Sequence, residues 1–296
     1  MSLLVESQSF TSLTQSQPAD SFKHVDPRRF YSALVLIPIL YVGIGYAPPW
    51  LFSLFLAATA LVGLWEFIGL YFGPTSSLFA KFTSCLTAAL VLFGMYQGFS
   101  QAFIPWLLAV IALIIGGFVL SPRATKQHLP SWAAYVFGIL YVALLLGHFI
   151  LLRKLDNGIA LIFFVLFVTW LADTGGFMVG LSLGKHPLAP RLSPKKTVEG
   201  LIGGILYSVL GAILSHFWFL PFFSVSQCAM LGVALALIGT LGDLGESAIK
   251  RSAGIKDSGT IIPGHGGVLD RIDSLLFTGP ALYYYVIFPP PFLIAD

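Results

Sequence analysis

Charge is what this sequence has least of. Of its 296 residues, only 10% are Asp, Glu, Lys or Arg, against roughly 25% in an ordinary soluble domain. With 57% hydrophobic and 15% aromatic residues and a mean hydropathy of +0.88, that scarcity excludes a soluble globular domain and describes an integral membrane protein. The net charge of +3 is spread over short loops, so no basic face exists to bind nucleic acid. Cysteine is nearly absent. Cys85 and Cys228 sit in apolar surroundings without metal-ligand spacing, and they read as small buried hydrophobes, not as a disulfide. Residues 1–29 lack a positive segment running directly into an apolar core, so a cleaved signal peptide is not expected. Rich in Ser, Thr and Gln, they read as a disordered cytoplasmic tail.

What the sequence has in abundance is apolar runs of about 20 residues, the length that crosses roughly 30 Å of hydrocarbon as a helix. The expected spans are 30–48, 49–73, 79–98, 103–120, 131–152, 158–181, 198–223, 226–250 and 271–294. The fold class is therefore an all-α polytopic membrane protein of about nine helices. Ala47-Pro48-Pro49 leaves almost no loop between the first two runs, which either both span or form a re-entrant hairpin. The chain divides into the tail 1–29, an N-terminal set of transmembrane helices, 30–150, and a C-terminal catalytic region, 151–296.

The 16 basic residues are distributed unevenly between alternate loops. One side receives Lys23, Arg28, Arg29, Lys81, Arg123, Lys126, Lys185, Arg191, Lys195, Lys196, Lys250, Arg251, Lys256 and Arg271; the other receives only Arg153 and Lys154. By the excess of Lys and Arg in cytoplasmic loops, the N-terminus is cytoplasmic, and loops 182–197 and 251–270 share the cytoplasmic face.

Charged side chains within spans cost roughly 2.5–3.5 kcal/mol each near a helix centre and usually mark function. Here they gather at the cytoplasmic helix ends. Asp173 lies near the end of the sixth span, Glu199 opens the seventh, Asp243 and Glu246 close the eighth, and Asp270 and Asp273 open the ninth. Asp243, Glu246, Ser247 and Lys250 follow the i, i+3, i+4, i+7 spacing of one helix face. Carboxylates suit a hard cation such as Mg²⁺, which is completed by waters and substrate phosphates. Cations and a glycine-rich backbone suit phosphate oxygens. Together they suit phosphoryl or nucleotidyl transfer, where catalysis is mostly positioning and charge neutralisation. Elsewhere the plainer readings prevail. Gly200 and Gly204 are a helix-packing pair, Thr197 with Glu199 reads equally as an N-cap with a first-turn acid, and His148 belongs to the core. Glu66, within "GLWEFIGL", is a lone acid in an apolar run and is expected to make an interhelical hydrogen bond.

The stretch from Ser247 to Asp273, "SAIKRSAGIKDSGTIIPGHGGVLDRID", resembles the signature of the phosphatidate cytidylyltransferases, or CDP-diacylglycerol synthases, at every fixed position. "ADTGGFMVG" and "GKHPLAPRLSPKKTVEG" are similar as well, so the resemblance covers residues 150–296 strongly. The earlier helices resemble the family only in being hydrophobic. The chain departs from it in a longer polar tail and in Gly176, where many relatives carry alanine; neither departure touches a charged position.

The resemblance implies transfer of the cytidylyl group of CTP to phosphatidate with a divalent cation, giving CDP-diacylglycerol and pyrophosphate. It further implies Asp243 and Asp270 as metal ligands, and Lys250, Arg271 and Asp273 beside them as catalytic residues. The expected substrate-binding residues are Asp173, Lys195, Lys196, Ser247, Arg251, Lys256, Asp257 and the turn Gly264, His265, Gly266 and Gly267. A homodimer and a bacterial plasma membrane are also expected. The rival readings are a CTP-dependent lipid-alcohol kinase, which would release CDP, and a secondary transporter, whose ionisable sites would lie nearer the midplane.

Overall fold

The computed structural model describes residues 38–73, 78–98, 103–120, 128–255, 258–259 and 266–289. The tail, most of the first expected span, and Lys256, Asp257, Gly264 and His265 lie outside the described residues. Helix α1 is seen over residues 38–45. It is followed by α2 (Pro49–Phe72), α3 (Leu78–Gln97) and α4 (Phe103–Leu120). A continuous α5 is built of His128–Gly138, a π-helical stretch Ile139–Leu144, and Leu145–Lys154. Then come α6 (Gly158–Leu183), α7 (Val198–Trp218), α8 (Val225–Ser252) and α9 (Leu269–Ile287).

Helices thus occupy each of the expected stretches. Among the described residues, six are long and apolar enough to cross a membrane: α2, α3, α5 from Pro130, α6, α7 and α8. Helix α9 falls outside that set; it is 19 residues long and begins Leu-Asp-Arg-Ile-Asp.

Local chemistry sets the helix ends. Pro49 opens α2 at the first helical position, where its missing N–H costs nothing. Ser224 and Gln227 form a reciprocal capping box at the start of α8, satisfying two otherwise orphaned amides. Thr197 accepts from the Gly200 amide at 3.1 Å, confirming it as the N-cap of α7.

Loop 182–197 contains an antiparallel hairpin that no motif in the sequence marks. Strand β1 (Pro187–Ala189) pairs with β2 (Ser193–Thr197), Pro187 opposite Thr197 and Ala189 opposite Ser193.

Helix α7 shows how a bilayer inverts ordinary packing. Its buried residues are small (Gly200, Gly203, Gly204, Ser208, Gly211, Ala212 and Ser215), while Ile202, Leu206, Leu210 and Leu214 point outward, each more than half exposed. Large apolar side chains gain little from leaving lipid, so close backbone approach drives association instead. A methyl group on Gly204 would stand 2.8 Å from the carbonyl oxygen of Ala172 in α6. That contact brings the Asp173 turn of α6 against the start of α7.

The larger core lies around α2, α5 and α6, where Leu64, Ile68, Val142, Leu152, Phe164, Val165 and Val168 are fully buried. His148 is among them at 5% exposure, its Nδ1 at 2.9 Å from the Leu144 carbonyl. Both cysteines are free.

Candidate active site

The acids and cations singled out above converge at one end of the bundle. Hairpin strand β2 carries Lys196 to Asp243 of α8, where the two form an ion pair. Alternation along a strand sends neighbouring side chains to opposite faces, and Lys195 accordingly stands exposed. The structure thus separates Lys195 from Lys196, both expected to bind substrate. Asp173, Asp243 and Asp273, from α6, α8 and α9, stand close enough to act on one another's charge, with Lys196 acting on both Asp173 and Asp273. Arg271 acts on Asp173 as well. Asp173 is exposed, and Asp243, Asp273 and Lys196 are half-buried, so the group remains open to a ligand.

A second layer lies behind this one. Lys250 donates to Glu246 at 2.6 Å and to Asp270 at 2.8 Å, bridging α8 to α9. Glu246 is fully buried, and its Oε1 has no hydrogen-bond partner among the described residues. Tyr141, carried by the π-helical stretch of α5, has a buried hydroxyl without such a partner; it faces the charges of Glu246, Asp273 and Asp243.

Asp270 is held on all sides. Beyond Lys250, its Oδ2 accepts from the amides of Ser258 at 3.0 Å and Gly267 at 2.9 Å, and its Oδ1 accepts from Ser258 at 3.3 Å. Asp243 and Asp270, paired in the sequence reading as metal ligands, therefore have different partners. A metal at Asp270 would have to displace an ammonium and two amides.

The glycine turn is also redefined where it is described. Gly266 adopts φ +82°, a conformation that favours glycine. The Gly267 amide serves Asp270, and the next two, Val268 and Leu269, donate to Glu66 of α2 at 3.0 and 2.8 Å. The start of α9, a natural place for a phosphate, is thus already filled by carboxylates.

Other expected contacts are weaker or differently directed. Ser247 lies 3.5 Å from Asp243 Oδ1. Arg251 is exposed and donates to the carbonyls of Leu192 at 3.3 Å and Ile255 at 3.2 Å, tying the hairpin to the end of α8. Glu199 holds the turn before β1 through the amides of Lys185 and His186 and the His186 ring.

The residues fit a divalent cation by their donor chemistry. Asp173, Asp243, Glu246, Asp270 and Asp273 outnumber Lys196, Lys250 and Arg271, and Glu246 retains its unpartnered oxygen. Among the described residues no three acids, histidines or cysteines are grouped closely enough to enclose a metal by themselves. A cation such as Mg²⁺ commonly takes only one or two carboxylates and completes its shell with waters and substrate phosphates.

A family model for cytidylyltransferases matches residues 27–288. The chain belongs to the cytidylyltransferase family. Over 147 residues it is 46% identical to the phosphatidate cytidylyltransferase of Bacillus subtilis, covering 49% of this chain and 54% of that protein. The corresponding protein of Staphylococcus epidermidis is 38% identical over 170 residues, covering 57% of this chain and 65% of that one. That of Staphylococcus aureus is 39% identical over 189 residues, 62% of this chain and 72% of that one. The chain thus spans little more than half the length of the first of these relatives.

Membership of the cytidylyltransferase family gives the cluster its context, and the geometry adds what the motif alone did not reveal. Glu66, from an N-terminal helix that carries none of the signature but lies within the family match, reaches the end of the signature. Its signal was legible in part, as a carboxylate in an apolar run, but its partners lie more than two hundred residues away. Tyr141 gave no sequence signal, since a π-helical turn has no spacing pattern of its own.

Proposed function

We propose that the chain transfers the cytidylyl group of CTP to phosphatidate in a bacterial plasma membrane, with the charged end of the bundle facing the cytoplasm. The observation that carries this reading is the meeting of Asp173, Lys196, Asp243, Asp273 and Arg271 from four separate elements at one helix end, open to a ligand. The signature and the names of the relatives support the choice of substrates.

In this reading a phosphate oxygen of phosphatidate attacks the α-phosphorus of CTP in line. The new P–O bond forms as the bond to the β-phosphate oxygen breaks, and pyrophosphate leaves with that electron pair. No protein nucleophile is needed, and the lipid phosphate is already largely ionised near neutral pH, so no general base is needed either. Asp243 and Asp273, with Asp173 beside them, would hold the divalent cation. Bound there, it neutralises phosphate charge and stabilises the charge that develops on transfer. Lys196 and Arg271 lie beside these acids and draw the phosphates of both substrates toward them. Lys250 and Asp270 act as a bracket that fixes α9 against α8. His265, Lys256 and Asp257 remain substrate-binding candidates through the signature.

Product analysis tests this reading. The purified chain, given CTP, phosphatidate and Mg²⁺, should form CDP-diacylglycerol and pyrophosphate only when all three are present. Formation of CDP with a phosphorylated lipid alcohol would replace it with the kinase. Nucleotide-independent substrate flux in proteoliposomes would replace it with the transporter.

A further inference from the structure

Glu66 is a buried acid that the transfer chemistry leaves unused. It sits in α2, 6% exposed, and its two oxygens accept from the Val268 amide at 3.0 Å and the Leu269 amide at 2.8 Å. These are first-turn amides of α9, which have no partner inside the helix and carry the positive end of its dipole. The surroundings are shaped to the carboxylate. A methyl group on Gly259 would lie 2.7 Å from Glu66 Oε1, and one on Gly267 would lie 2.7 Å from Oε2. Asp270, Arg271 and Asp273 follow within the next turn of the same helix. The carboxylate therefore grips α9 immediately before the residues assigned to the reaction.

We propose that Glu66 is a positioning residue of the active site: a carboxylate from the N-terminal helices that clamps the start of α9 and fixes where Asp270, Arg271 and Asp273 stand against α8. This rests on the transfer reading above. A hydrogen-bonded buried carboxylate is a rigid grip, because leaving either the acid or the amides unpaired is costly. Glutamine at position 66 keeps the shape but turns one acceptor into a donor facing an amide. Aspartate keeps the charge but shortens the arm by one methylene.

The test uses the full chain in detergent and two independent readouts. Hydrogen exchange reports on the Val268 and Leu269 amides without substrate, and steady-state kinetics reports kcat and KM for CTP per folded molecule. In Glu66→Gln, exchange at those amides should rise about tenfold or more, as expected when a local opening loses its clamp. Since misplacement by about 1 Å can cost a hundredfold in rate, kcat should fall at least about tenfold while KM for CTP stays within about threefold. Glu66→Asp should lie between the two. Gly259→Ala, which displaces the clamp without removing its charge, should reproduce the same split, and it serves if Glu66→Gln does not fold.

Unchanged exchange in the folded variants would overturn the clamp. Faster exchange with unchanged kcat would reduce Glu66 to a helix cap and overturn the positioning role. A wild-type chain inactive on CTP and phosphatidate would count against the transfer reading, while the exchange data would still decide the clamp.

Discussion

The two ends of the bundle both carry charge in an otherwise apolar chain, and they handle it differently. At one end Arg153 donates to the Ala47 carbonyl at 3.2 Å and Lys154 donates to the Tyr96 carbonyl; their rings for company are Phe52 and Tyr96. Those cations meet backbone and aromatic faces, the arrangement of an interfacial anchor. At the other end Asp173, Asp243, Glu246, Asp270 and Asp273 come from three helices and outnumber the cations among them. An anchor has no use for mutually repelling acids. Such a surplus is held at a cost in the protein, which in the proposed function a divalent cation would offset.

The largest test of this contrast removes one acid. Asp243→Asn should lower pyrophosphate release per folded molecule by about a thousandfold, the upper range for loss of a single group that stabilises developing charge, while the fold persists. A smaller loss of function and a larger loss of stability are expected from Lys250→Met. It leaves Glu246 buried without its cation, and thermal unfolding in detergent should report about 3–5 kcal/mol of destabilisation, the range for breaking one side of a buried pair. Glu246→Gln in the same chain should recover part of it.

Next comes Gly204→Val, which wedges α6 from α7. Overpacking of this kind costs about 1–3 kcal/mol, and the displaced Asp173 turn should reduce turnover about tenfold, with CTP saturation showing whether binding or rate suffers. The smallest effect belongs to the opposite end. Arg153→Ala should leave kcat within about twofold and reduce stability by about 1 kcal/mol, the worth of one hydrogen bond. A large catalytic loss there would erase the distinction between the two ends.

Much of the architecture was legible because helix period and apolar length act locally. The expected 49–73 is observed as Pro49–Phe72, and 226–250 as Val225–Ser252. The shared face of Asp243, Glu246, Ser247 and Lys250 appears as the Ser247–Asp243 and Lys250–Glu246 contacts. What was not legible depends on which helix lies beside which. The hairpin that aims Lys196 and not Lys195 at Asp243, the amides that occupy Asp270, and the reach of Glu66 to α9 are all tertiary pairings. No spacing in the sequence encodes them. The apolar runs also gave no hint that the opening turn of α9, with Asp270, Arg271 and Asp273, packs against α8.

In the proposed function, the acid surplus at one end gathers the nucleotide through a divalent cation. Calorimetric binding of CTP to the full chain, measured with Mg²⁺ and then with a chelator, tests it with Asp243→Asn alongside. Binding should require Mg²⁺ in the wild type and be lost in the variant at every Mg²⁺ concentration. Equally tight binding in the presence of chelator would contradict it, placing the nucleotide on lysines and arginines alone.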